Sequence, residues 1–125
     1  MSTENPEVSA QVVDVAMKVH SALGPGLLES AYQACMAVAL RKRGLRVDEQ
    51  LAMPIHFEGN RIDVGYRLDM LVERELVVEL KAVVRVLPIH QAQLLSYLRL
   101  GNYRVGLLLN FHVPRMREGI MRIVN

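Results

Sequence analysis

Leu76-Val77-Val78-Glu79-Leu80-Lys81-Ala82-Val83-Val84 decides how this chain is read. The run is apolar enough for burial in a sheet, yet two opposite charges stand two residues apart inside it. In a strand that spacing turns Glu79 and Lys81 to one face and Val78, Leu80 and Ala82 to the other. The polar Glu73-Arg74-Glu75 just before it reads as a turn, and Tyr66 to Val72 as the partner strand. With that turn Val72 pairs with Leu76, and Asp69 falls opposite Glu79 with Cβ atoms about 4.5–5.5 Å apart. Two carboxylates so placed repel, and one keeps a proton unless a cation neutralises the pair. A hard divalent ion such as Mg²⁺ suits such oxygen ligands while keeping several waters. Lys81 beside them would orient or help deprotonate an attacking water, or stabilise charge on a phosphate. The ordinary alternative is an ion pair between Lys81 and one acid, but it leaves the third charge, Asp69, and the apolar setting unexplained.

On the N-terminal side, Val8, Val12, Val15, Ala16 and Val19 recur at helical spacing, which predicts a helix from Pro6 to Ala22 after a polar tail of residues 1–6. Gly24-Pro25-Gly26 ends it. A second helix is expected from Leu27 to Arg43, with Gly44 as its stop. Arg41, Lys42 and Arg43 close that helix, where its dipole favours them, and a phosphate contact is the competing role. Strands are expected over Leu51–Glu58 and Arg61–Val64 around a Gly59-Asn60 turn, ahead of the Tyr66–Val72 and Leu76–Val84 pair. On the C-terminal side Pro88 opens a helix running through Ile89–Leu100 to Gly101. Tyr103 to Phe111 reads as a central buried strand, and Ile120 to Val124 as a short last one. The class is α/β, an α+β mixed sheet in the order helix, helix, strands, helix, strand, within one domain spanning 1–125.

With 125 residues and 51% hydrophobic residues the chain has enough apolar side chain for a core, built from aliphatics because aromatics are 5% and Trp is absent. A net charge of +2 is too slight to argue for nucleic acid by itself. The single cysteine, Cys35, excludes an internal disulfide, reads as a small core residue and fits a reducing, cytoplasmic setting. The polar start is unlike a secretory signal and no apolar run reaches membrane-spanning length. Four scattered histidines offer no zinc spacing, and no phosphate-loop motif is present. Besides an enzyme, two other classes stay open: a binding module, and a structural homodimer with Met53, Met70, Met116 and Met121 on its face.

Asp69, a hairpin and Glu79-Leu80-Lys81 together resemble the D…(D/E)-x-K core of the PD-(D/E)xK nuclease superfamily, with Leu68 where that motif names a proline. Gly26-Leu27-Leu28-Glu29-Ser30-Ala31-Tyr32 is similar to the Gly-x-x-Glu-x-x-Tyr signature of the GxxExxY family within it. Gln93-Leu94-Leu95-Ser96-Tyr97 resembles the Gln-x-x-x-Tyr helix of a subset of these nucleases, and Leu87–Leu98 and Asn110–Pro114 also look like that family. The likeness covers residues 10 to 124. It implies a restriction-endonuclease-like core and hydrolysis of phosphodiester bonds with Mg²⁺ or Mn²⁺. Nucleic acid, DNA first, is the implied partner. Asp69, Glu79 and Glu29 are the implied metal ligands, with Lys81 completing the catalytic set and Tyr32, His90, Gln93 and Tyr97 binding substrate or supporting it. For Glu29 the plainer reading is a favourable charge at a helix N-terminus, and for Tyr97 a core aromatic. The implied alternative to activity is a catalytically silent module of the same fold.

Overall fold

The computed structural model describes residues 6–125, so most of the polar tail lies outside the described residues. Helix α1 (Pro6–Leu23) buries Val8, Val12, Val15, Ala16 and Val19, the stripe its periodicity demands. Helix α2 (Glu29–Lys42) follows, burying Tyr32, Met36, Ala37 and Leu40. Five strands form the main sheet: β1 (Val47–Ala52), β4 (Arg67–Val72), β5 (Leu76–Lys81), β6 (Val105–Asn110) and β7 (Ile120–Val124) in that spatial order. Between β1 and β4, β2 (Ile55–Phe57) and β3 (Asn60–Ile62) make a separate hairpin. Helix α3 (Pro88–Gly101) crosses from β5 to β6, which pair in parallel, while every other pairing is antiparallel.

The sheet is sandwiched. Val78 and Leu80 face α1 and α2 in one core, whereas Val77 faces Leu94, Tyr97 and Leu98 of α3 in the other. Strand β6, central and covered on both sides, buries all its residues, as its continuous apolar sequence requires. Val72 pairs with Leu76, which is the register the turn predicted. No helix among the described residues is long and apolar enough to cross a membrane.

Four expectations change. The strand expected over Leu51–Glu58 is cut in two, because Pro54 has no amide for a ladder and the Met53 amide makes its bond to the Tyr66 carbonyl at 2.8 Å. Residues 55–62 therefore leave the main sheet. Helix α2 begins at Glu29 and not at Leu27, since the Leu27 amide is held by the Tyr32 hydroxyl and Leu28 is extended. Strand β5 stops at Lys81, short of Val84, because the next amides bond side chains of other elements. The methionine face does not exist: Met53, Met70 and Met116 are buried within the two cores, and Met121 packs against one of them. Methionine's flexible thioether here fills core gaps.

The arginines at the basic end of α2 are spent internally. Arg41 bonds Glu49 and the Val47 carbonyl, Arg43 bonds Asp14 and Gln11, and Arg46 just beyond pairs with Asp48. These contacts tie α2 to β1 and α1, so the cluster has a structural use.

Candidate active site

The main-chain ladder between β4 and β5 reaches Met70 and Val78 and goes no further. At the next position the carboxylates take over: the Asp69 amide donates to Glu79 Oε1 at 3.1 Å, and the Leu80 amide donates to Asp69 Oδ2 at 2.9 Å. Each acid thus accepts an amide of the opposite strand, which fixes both side chains where the strands part. The reciprocal bonds hold the two carboxyl groups side by side. The Glu79 carboxyl is pushed up to about 8, first by burial and then by the charge of Asp69, while the Asp69 amide and Lys81 pull it down. Lys81 is in no ion pair of the described residues, so the simple Lys–Glu pairing weighed from sequence is not formed.

Glu29 comes to the same place from a distant part of the chain. It is the first residue of α2, and its Oε1 accepts the Ala82 amide at 3.2 Å, just past the end of β5. With Gln33, Gln50 and Asp69 it lines a polar cleft of about 550 Å³. Its placement depends on the loop before it. Gly24 and Gly26 take φ of 71° and 105°, which L side chains rarely adopt, and the Tyr32 hydroxyl closes the loop by donating to the Gly24 carbonyl at 2.6 Å. The Tyr32 ring stacks on Phe111 with centroids 4.4 Å apart and is fully buried. Tyr32 therefore supports the loop from inside the core and presents nothing to a substrate.

Tyr97 approaches from the other layer. Its hydroxyl is pushed up by burial, then by Glu79, Tyr66 and Asp69. Gln93, four residues earlier on α3, lines the same hollow as Tyr97. His90 is occupied with its own helix, its Nδ1 accepting the Leu87 amide at 3.0 Å as part of the N-terminal cap of α3.

Two residues to which the sequence analysis gave no role, Gln50 and Asn110, bear on the site. Gln50 sits on β1 with φ of 50°, which interrupts the strand's alternation, and it reaches Gln33 at 2.9 Å and Asp69 at 3.5 Å. Nothing in its sequence context signals this. Asn110 ends β6 and holds the segment after β5 through both Val83 main-chain groups, at 3.1 and 2.9 Å. An amide side chain closing an otherwise apolar strand is its legible signal.

The donors fit a hard divalent cation. Asp69 and Glu79 each commit one oxygen to an amide, and their mutual repulsion is what a cation relieves. Mg²⁺ is commonly held by one or two carboxylates, with waters and substrate phosphates filling the remaining positions. A pair therefore suffices, and no closed cluster of three or more His, Cys, Asp or Glu occurs among the described residues.

A mixed five-stranded sheet with helices on both faces, and acids where two antiparallel strands part, defines a restriction-endonuclease-like core. Over residues 6–123 the chain matches the family model described as the PD-(D/E)XK nuclease superfamily, and it belongs to that superfamily. No curated protein and no solved structure matches.

Proposed function

We propose that this chain is a divalent-metal-dependent nuclease, hydrolysing phosphodiester bonds of nucleic acid, with Mg²⁺ or Mn²⁺ as its ion and DNA as its principal substrate. The observation that carries the reading is the placing of the Asp69 and Glu79 carboxyls by reciprocal bonds to main-chain amides of the opposite strand, where β4 and β5 part. The Gly-x-x-Glu-x-x-Tyr segment, whose Glu29 meets Ala82 across the fold, supports a place in the GxxExxY family. The lone, unpaired Cys35 supports a cytoplasmic setting.

Asp69 and Glu79 would hold the ion. When bound, it would neutralise phosphate charge and lower the pKa of a water. Lys81, on the same strand face as Glu79 and in no ion pair of the described residues, serves the attacking water or the phosphate. Glu29 lines the cleft beside Asp69 and completes the acidic shell, by ligation or by ordering water. Gln93 and Tyr97 brace Glu79 from α3.

Calorimetric titration with Mn²⁺ and a cleavage panel of single-stranded, duplex and branched DNA and RNA test this reading. Asp69→Asn is expected to lower ion affinity and cleavage together. Lys81→Met is expected to keep most of the ion affinity and to lose roughly 10²–10³-fold in turnover, the usual cost of removing one charge-stabilising group. Wild-type protein that binds no ion and cuts nothing would make this a silent binding module. Cleavage by Lys81→Met at the wild-type rate would remove Lys81 from the chemistry.

A further inference from the structure

On the α3 side of the sheet lies a second hollow with a different character. It measures about 610 Å³ and is walled by Ile55, Tyr66, Ile89, Gln93, Tyr97 and Arg99 among others. Tyr66 and Ile89 are 43% and 67% exposed, so the hollow presents aromatic and aliphatic surface to solvent. The Tyr66 and Tyr97 rings stand 5.9 Å apart at 55°, tilted and not stacked face to face, and Tyr66 keeps part of its surface in solvent. Gln93 and Ser96 bring hydrogen-bonding groups, and Arg99 is the one charged residue in the lining, with a positive sign.

We infer that this hollow is a binding subsite for one unpaired nucleobase, and that the substrate is therefore single-stranded nucleic acid or the unpaired end of a duplex. The inference rests on the nuclease reading and deepens it. Tyr97 belongs to both places: it walls the hollow and shares a core cluster with Val77, two residues before Glu79 on the same face of β5. A base seated there is attached to a strand whose phosphate is near the acids. An aromatic wall with a few polar groups takes any base by its π-face, and Arg99 suits the accompanying phosphate. A base inside a duplex is stacked and paired on both sides and enters such a hollow only after leaving the stack. The hairpin of β2 and β3, detached from the main sheet by Pro54, supplies Ile55 as the far wall.

Binding measured without metal separates this inference from the activity it rests on. Fluorescence anisotropy in EDTA, with a labelled single strand and the blunt duplex of the same sequence, is expected to favour the single strand by at least about tenfold. Tyr66→Ala is expected to weaken single-strand binding roughly 5- to 150-fold, the loss of one base–aromatic stack, and Tyr66→Trp to retain it. A strand carrying 5-iodouracil is expected to crosslink to Tyr66 or Tyr97 on irradiation. Running DNA and RNA strands in parallel identifies the sugar. Equal affinity for single strand and duplex overturns the inference, as does wild-type binding by a folded Tyr66→Ala protein. Sedimentation showing a dimer that Tyr66→Ala dissociates assigns the hollow to a second copy of the chain and also overturns it. Strand binding without Mn²⁺-dependent cleavage leaves the subsite standing and removes the nuclease.

Discussion

Glu79 is buried beside another carboxyl group, and its proton leaves near pH 8 in the folded chain against 4.5 for an ordinary glutamate. Between those values the folded state binds more protons than the unfolded one, so stability falls as pH rises through the window and the loss is complete above about 8. Each unit of separation is worth about 1.4 kcal/mol, which makes the whole effect on the order of 5 kcal/mol in metal-free protein. Glu79→Gln keeps an acceptor for the Asp69 amide and removes the charge. The variant is expected to melt well above wild type at pH 8, with the gap closing towards pH 4.5. Equal gaps at the two ends, by calorimetry in EDTA, would mean that Glu79 ionises normally in the fold. The same property explains the site: a carboxyl pair that costs stability when bare is stabilised by whatever cation it binds.

Among the elements, the entry to α2 decides where Glu29 goes. Helix periodicity places Glu29 at an N-terminus in sequence, but the loop before it is positioned by one buried hydroxyl, that of Tyr32, bonded to Gly24 and Leu27 at 2.6 and 3.1 Å. Tyr32→Phe preserves the ring on Phe111 and strands the two main-chain groups. A loss of about 1–3 kcal/mol is expected by urea unfolding, together with faster hydrogen exchange at the Leu27 amide. Unchanged stability and exchange would show that water replaces the hydroxyl at no cost. The Gly-x-x-Glu-x-x-Tyr spacing thus has a physical reason. Glycine permits the loop, tyrosine locks it from below, and glutamate three residues earlier is delivered to the end of β5.

For the molecule as a whole, the acids lie at the margin of a sheet whose stability comes from elsewhere, chiefly the covered strand β6. Leu109, fully buried and facing the α1–α2 core, is paired through Leu80 to the strand that carries Glu79. Leu109→Ala is expected to destabilise the protein by about 2–5 kcal/mol in denaturant titration, the cost of a lost side chain and an incompletely filled cavity. A loss below about 1 kcal/mol would mean that the two helical layers close over the gap.

The sequence by itself determined the local parts, because they depend on near neighbours. The valine stripe of α1, the two-residue spacing of Glu79 and Lys81, the turn that sets Val72 against Leu76, and the all-apolar run of β6 each follow from helix or strand periodicity and turn chemistry. Asp69 and Glu79 were legible together for the same reason, since one hairpin carries both. Tertiary structure alone decided what crosses the sheet. It set the Ala82 amide on Glu29, 53 residues away in sequence, and the Val83 amide on Asn110, and so ended β5 before its apolar run was used up. It also turned Gln50 out of the strand's alternation, and it buried three of the methionines that looked available for a partner. Those outcomes rest on which buried polar groups find one another once the layers close. A backbone amide accepts whichever carbonyl or carboxylate the packing brings within reach, and no sequence spacing records that choice.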